Sequence, residues 1–183
     1  MNWLNTILIV AVALLAIFLE ATFNGIRRLL GAQIDLLPGL IVYAGLTASI
    51  GTIAAVAVFS GLCFDAVSAN PLGVTVLPLF LVGLVIHLKR QLILRDQPFA
   101  QTVLGLAASA SVPILTLLIV FSTGAEPLIG WGSVWQWLVM SVGGAAFTPI
   151  FFWVFGRVHR ALYYQRLTET TFRPDREIER GRF

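Results

Sequence analysis

Leu37 to Phe64 reads LPGLIVYAGLTASIGTIAAVAVFSGLCF, 28 residues without a charge. As one straight helix it would be ~42 Å long at about 1.5 Å per residue. A hydrocarbon core is ~30 Å thick, so that helix needs a tilt near ~45°, beyond the usual range of about 0–40°. The alternative is two short helices that break around Ser49-Ile50-Gly51-Thr52. Each would have about 14 residues and would need a locally thinned bilayer or shielding by protein. How this stretch is cut sets the number of membrane spans at five or six.

The flanking sequence has the same character. Phe99–Phe121 and Val134–Phe155 are long enough to cross a bilayer, and Leu72–Leu88 is acceptable. Trp3–Leu19 is apolar, no Lys or Arg precedes Arg27, and Phe18-Leu19-Glu20 is a poor cleavage site. It reads as a retained first transmembrane helix, not a signal peptide. The whole chain has 183 residues, 58% hydrophobic and only 11% charged. A soluble domain is about 25% charged, so lipid must cover much of this surface. The single cysteine, Cys63, lies in an apolar run, reads as a small apolar side chain and excludes an intrachain disulfide.

Seven of the twelve basic residues follow Phe155, which is a topology signal before it is a nucleic-acid signal. No basic patch is interleaved with aromatics on a soluble fold, so no nucleic-acid partner is expected. Lys89, Arg90 and Arg95 occupy one loop; Arg157 and Arg160 open the basic tail. Two helices separate these regions, so both lie on the cytoplasmic side together, and the loop Ser122–Ser133, carrying only Glu126, lies outside. The C-terminus is then cytoplasmic. Five spans place Arg27 and Arg28 inside, whereas six leave them outside. Trp131, Trp135 and Trp137 sit at the proposed outer boundary, with Trp153, Tyr163 and Tyr164 near the inner one, as interfacial belts require. Residues 1–165 form the transmembrane domain; 166–183 form an Arg-rich tail, expected to be flexible or ordered only by a partner.

Motifs of soluble enzymes are missing: there is no GxGxxG, Walker loop, HExxH or paired CxxC. His87 and His159 read as solvated boundary residues. No cofactor or metal is implied. The informative segment is GLCFDAVSANPLG, Gly61–Gly73. An apolar helix ends at Asp65, a small polar turn follows, and Asn70, Pro71 and Gly73 lead into the next helix. Ser68 and Asn70 are expected to bond nearby backbone, and Gly73 permits a tight turn. Asp65 reads as a turn-bonding or partner-binding carboxylate. Small residues four apart (Gly45 with Ser49, Gly51 with Ala55, Ser141 with Ala145, Gly144 with Thr148) offer faces for close helix contact.

The segment GLCFDAVSANPLGVTVLPLFLVGLVIHLKRQLI resembles the centre of the MreD family of rod-shape-determining membrane proteins. There a helix ends in a Gly-x-x-x-Asp turn, followed by Leu-Gly, a helix, a basic stretch and two more helices. Asp65, Leu72, Gly73, Lys89 and Arg90 fall on those positions. TPIFFWVFGRVHRAL is similar to the family's closing helix, with Pro149 inside it and Arg157 and Arg160 beyond. The likeness covers about residues 50 to 165. The family often has charges between its second and third spans, where Thr47–Thr52 has none, and RPDREIERGRF matches no family motif.

The resemblance implies an all-α integral membrane protein of six transmembrane helices, in a fold related to the substrate-binding subunits of energy-coupling-factor transporters. It implies a multi-pass, non-enzymatic component of the bacterial cytoplasmic (inner) membrane. Such proteins bind the periplasmic scaffold MreC and work in the elongation complex (the elongasome) with MreB, RodA and its transpeptidase partner, directing lateral peptidoglycan synthesis and rod cell shape. The alternative is a transport subunit that binds a vitamin-like ligand, with Asp65 or Asn70 supplying polar contacts. A membrane enzyme would need convergent catalytic groups, and Glu20, Asp35, Asp65 and Glu126 read as scattered over separate loops.

Overall fold

The computed structural model describes residues 3–22, 25, 31–68, 70–93, 97–124 and 130–163. Arg27, Arg28, Arg95, Glu126, Tyr164 and the tail from 166 to 183 lie outside these residues. Two units are distinguished, residues 1–152 and 153–183, and the division falls inside the last helix.

Six helices make up the described chain: α1 (Trp3–Thr22), α2 (Leu37–Thr47), α3 (Ile50–Val67), α4 (Val76–Lys89), α5 (Pro98–Ser122) and α6 (Trp131–Tyr163). α1, α3, α5 and α6 are long and apolar enough to cross a bilayer. The long uncharged stretch is cut in two, but unequally and slightly earlier than the sequence suggests. Ala48 and Ser49 are extended, with ψ of 176° and 161°, which ends the helical ladder between them. Thr47 Oγ1 bonds back to Tyr43 O in the last turn of α2. Pro38 fits the first turn of α2, where no intrahelical N–H is needed.

α2 has 11 residues, or ~16 Å of helix, too short to face lipid across a bilayer. Leu37 through Leu46 are all buried, so protein covers this helix on every side. Here burial replaces length. α4, with 14 residues, is also shorter than the bilayer core. It begins at Val76, four residues later than the apolar run at Leu72, because residues 72–75 form a turn.

Side-chain contacts give each helix its direction within residues 1–152. Thr6 bonds Thr52, and Glu20 bonds the backbone of Leu36. Gly45 abuts Gly83 and Ile86, Gly83 abuts Ile53, and Gly61 abuts Val76. Gly39 meets Thr148 and Phe151, while Ser109 meets Gly144. The helices therefore alternate in direction: α1, α3 and α5 run one way, α2, α4 and α6 (to Phe152) the other. Val42 and Leu46 of α2, Ile86 of α4 and Ala108 of α5 form a central apolar cluster, against which Phe152 packs. Tyr43 and Phe152 meet edge to face, with centroids 5.1 Å apart.

The outside is apolar, unlike that of a soluble bundle, and the mainly apolar interior also holds several small polar side chains. Phe18, Phe59, Leu118 and Trp153 are exposed, while Thr52, Ser60, Thr75, Ser109 and Thr148 are buried. Large apolar side chains cover the outside of four spanning-length helices, and the chain is an all-α, multi-pass membrane protein. Two of the small-residue faces, Ser141–Ala145 and Gly144–Thr148, are buried on α6. Gly45 packs on α4, but Ser49 lies beyond the end of α2 and is exposed, so those two do not share a helix face. Gly51 faces open space.

Candidate functional site

α3 ends at the turn the sequence singles out, and Asp65 holds it. The side chain is 2% exposed. Its Oδ2 accepts hydrogen bonds from Gly73 N at 2.8 Å and Thr75 N at 3.1 Å. Its Oδ1 accepts the Thr75 hydroxyl. Gly73 and Thr75 lie in the turn that leads into α4, which begins at Val76. A carboxylate from the preceding helix thus holds the turn and the N-cap, at the end where a negative charge is also favoured by the helix dipole. Gly61 lies one turn before Asp65 on α3. A Cβ there would stand 3.0 Å from Val76 Cα, so its hydrogen lets the start of α4 lie directly on α3. The Gly-x-x-x-Asp spacing thus brings the backbone close and then ties it.

The rest of the turn faces outward. Gly73 has φ of +89°, a conformation open to glycine at no steric cost. Asn70, Pro71 and Leu72 are exposed. Ser68 Oγ donates to Asp65 O at 3.4 Å, a long bond, so the carboxylate of Asp65 does most of the shaping expected of Ser68 and Asn70.

A second carboxylate cluster escapes sequence reading. Glu20 lies in the last turns of α1, inside the helix and not in a loop. Its Oε1 accepts Leu36 N at 2.6 Å, while Oε2 is buried without a partner among the described residues. Asp35 is 3% exposed, and its Oδ1 accepts Leu37 N at 2.9 Å. The two carboxyls lie close enough to repel one another. Gln136 of α6 ties down the segment ahead of α2 with a reciprocal pair: Gln33 N donates to its Oε1 at 3.0 Å, and its Nε2 donates to Gln33 O at 2.8 Å. Glu20 and Asp35 are therefore together, contrary to the scattered placement expected. Asp65 sits at the same end of the bundle, because α1 and α3 finish where α2 and α4 begin. Each short helix starts on a carboxylate of the long helix before it: α2 on Glu20, α4 on Asp65. The available signal was the cost of burying a carboxylate in an apolar helix, which calls for a nearby donor.

Burial pushes the Asp35 carboxyl up from its ordinary value of 3.8 to about 6, against the opposing pull of the Leu37 amide. A raised carboxyl favours the neutral acid in the fold. Stability is therefore full below about pH 4 and falls as pH rises to about 6, because the unfolded chain loses its proton first. Asp35→Asn keeps the oxygen that accepts from Leu37 but cannot ionise. Its Tm in detergent is expected to exceed that of the native protein at pH 7 and to converge with it near about pH 4. The difference in Tm across that pH range checks this; a constant offset would contradict it.

Lys89 and Arg90 end α4, and both are exposed. Arg157 lies 5.2 Å from the Trp153 ring centroid, and Arg160 Nε donates to Gly156 O at 3.2 Å. His87 is half-buried, with Nδ1 3.2 Å from Gly45 O, and is a helix-contact residue, not a solvated one. Trp131 and Trp135 are exposed, but Trp137 Nε1 donates to Ala110 O of α5 at 3.0 Å. Among the described residues, no three His, Cys, Asp or Glu side chains are grouped to hold a metal ion. No family model matches the chain, and neither a curated protein nor a solved structure matches it.

Proposed function

We propose that this chain is a non-catalytic, partner-binding protein of the bacterial cytoplasmic membrane, of the MreD kind. It crosses the membrane six times, with the C-terminus in the cytoplasm, and binds MreC in the machinery of MreB, RodA and its transpeptidase partner. The alternating direction of α1 to α6 supports six traverses, with the short α2 and α4 counted among them. Lys89 and Arg90 at the end of α4 mark the cytoplasmic side. The Asp65 turn, at the opposite end of α4, then faces the periplasm, where MreC lies.

The observation that carries this reading is the division of labour within the turn. Asp65 is spent on backbone amides and the Thr75 hydroxyl, whereas Asn70, Pro71 and Leu72 are displayed to the outside. A buried carboxylate engaged in this way stabilises a presented loop. It does not offer itself to a small ligand, which weighs against the transport-subunit reading.

The test is co-purification in detergent with MreC of the same organism. The native protein is expected to retain MreC, and Leu72→Glu to lose it with an unchanged Tm. A native protein that fails to hold MreC while both are folded would overturn the proposal.

A further inference from the structure

Trp153, Arg157 and Arg160 lie four and three residues apart along the last turns of α6, so they share one face of the helix. All three are exposed, Trp153 by 60%. The Arg157 guanidinium rests over the indole at 5.2 Å from its centroid. A guanidinium held over an indole face by cation–π attraction is restrained there while its N–H donors remain able to bond an acceptor. One turn on, Arg160 is tied back through Nε to Gly156 O, which leaves the terminal N–H groups of its fork for another acceptor. The sequence of α6 contains no Asp or Glu, so its own helix supplies no counter-charge.

An exposed indole at the end of a membrane-spanning helix belongs in the headgroup layer. Two guanidinium groups one turn apart on that face, at that depth, suit a phosphate monoanion. We infer that this face of α6 binds the headgroup phosphate of an anionic phospholipid, with Trp153 against the glycerol and acyl region and Arg157 and Arg160 on the phosphate. The inference rests on the membrane character of the chain and not on MreC as its partner. Attraction by net charge alone would draw anionic lipid without preference for any residue. An arginine held over an indole and a tethered arginine on one face make a defined site.

Native mass spectrometry of the full-length protein, titrated with phosphatidylglycerol or phosphatidylcholine, tests it. The native protein is expected to retain phosphatidylglycerol selectively. Arg157→Gln with Arg160→Gln should lower that affinity on the order of tenfold. Arg173→Gln with Arg176→Gln, which removes the same charge from the tail, should leave it within about twofold. Trp153→Phe should preserve binding, and Trp153→Ala should weaken it while the Tm is unchanged. Equal losses from the two arginine pairs, or equal retention of the two lipids, would overturn the site. Competition by inorganic phosphate at the same concentration as the lipid would also overturn it, because the site would then read phosphate alone.

Discussion

Asp65→Ala is expected to lower the Tm in mild detergent by on the order of 10 °C, whereas Asp65→Asn is expected to cost only a few degrees. Alanine removes the acceptor for Gly73 N, Thr75 N and the Thr75 hydroxyl together, and Asp65 and Thr75 are both buried. Each orphaned buried donor costs about 1–3 kcal/mol, a large share of the ordinary stability of about 5–15 kcal/mol. Asparagine behaves differently because the two carboxylate oxygens have different work. Oδ2 serves both amides, so the asparagine oxygen can take its place. Oδ1 meets a hydroxyl, which can turn to accept from the asparagine NH2. What is lost is the charge assistance, not the network. Thr75→Val, removing one of the three bonds, should fall between the two. The same series separates a structural role from a partner role. If Asp65→Asn is folded and still retains MreC, the charge serves the turn alone. If it is folded and MreC is lost, the carboxylate also reaches the partner. An alanine variant as stable as the native protein would remove Asp65 from the architecture.

Membrane character was legible because it depends on composition over long windows, and lipid imposes that composition directly. The break in the uncharged stretch was legible in kind, since no straight helix of that length fits. Its position at Ala48-Ser49 was not, because α2 is short only by virtue of being enclosed by α4, α5 and α6, and enclosure is a tertiary fact. Asp65 could be read because its donors follow within ten residues. Glu20 could not, since its donor lies 16 residues away, and Gln33 finds Gln136 over 103. Spacing of four identified small-residue faces but carried no information on what each one meets: Gly45 finds α4 backbone, and Gly51 finds nothing within 4 Å. Arg27, Arg28 and the tail, on which the choice of five or six spans partly turned, lie outside the described residues.

The second large effect is expected where α5 crosses α6, and it has an asymmetry that tests the packing directly. A Cβ on Gly105 would stand 2.2 Å from Thr148 Oγ1 and 2.7 Å from the backbone oxygen of Gly144. A Cβ on Gly144 would stand 1.7 Å from Ser109 Oγ and 2.5 Å from Ser109 Cβ, with backbone only at 3.4 Å. Both glycines let the helices approach at van der Waals contact, where membrane helices gain most of their association energy. Gly105→Ala and Gly144→Ala should each drive α5 from α6. Overpacking costs about 1–3 kcal/mol where neighbours can adjust, and more against backbone. The obstruction at Gly144 is one side chain, and its hydroxyl is buried without a hydrogen-bond partner among the described residues. Ser109→Gly removes both offending atoms and sacrifices no bond, at about 1 kcal/mol of helix propensity. Gly144→Ala combined with Ser109→Gly should therefore regain most of the Tm lost by Gly144→Ala alone. Gly105→Ala combined with Thr148→Ala should not, because the Gly144 carbonyl stays in the way. Thr148 also touches Gly39 of α2, so its truncation opens a gap where α2, α5 and α6 converge. Equal rescue of the two glycine variants would mean that α5 and α6 do not approach through these residues, and the enclosure of α2 between them would fail with it.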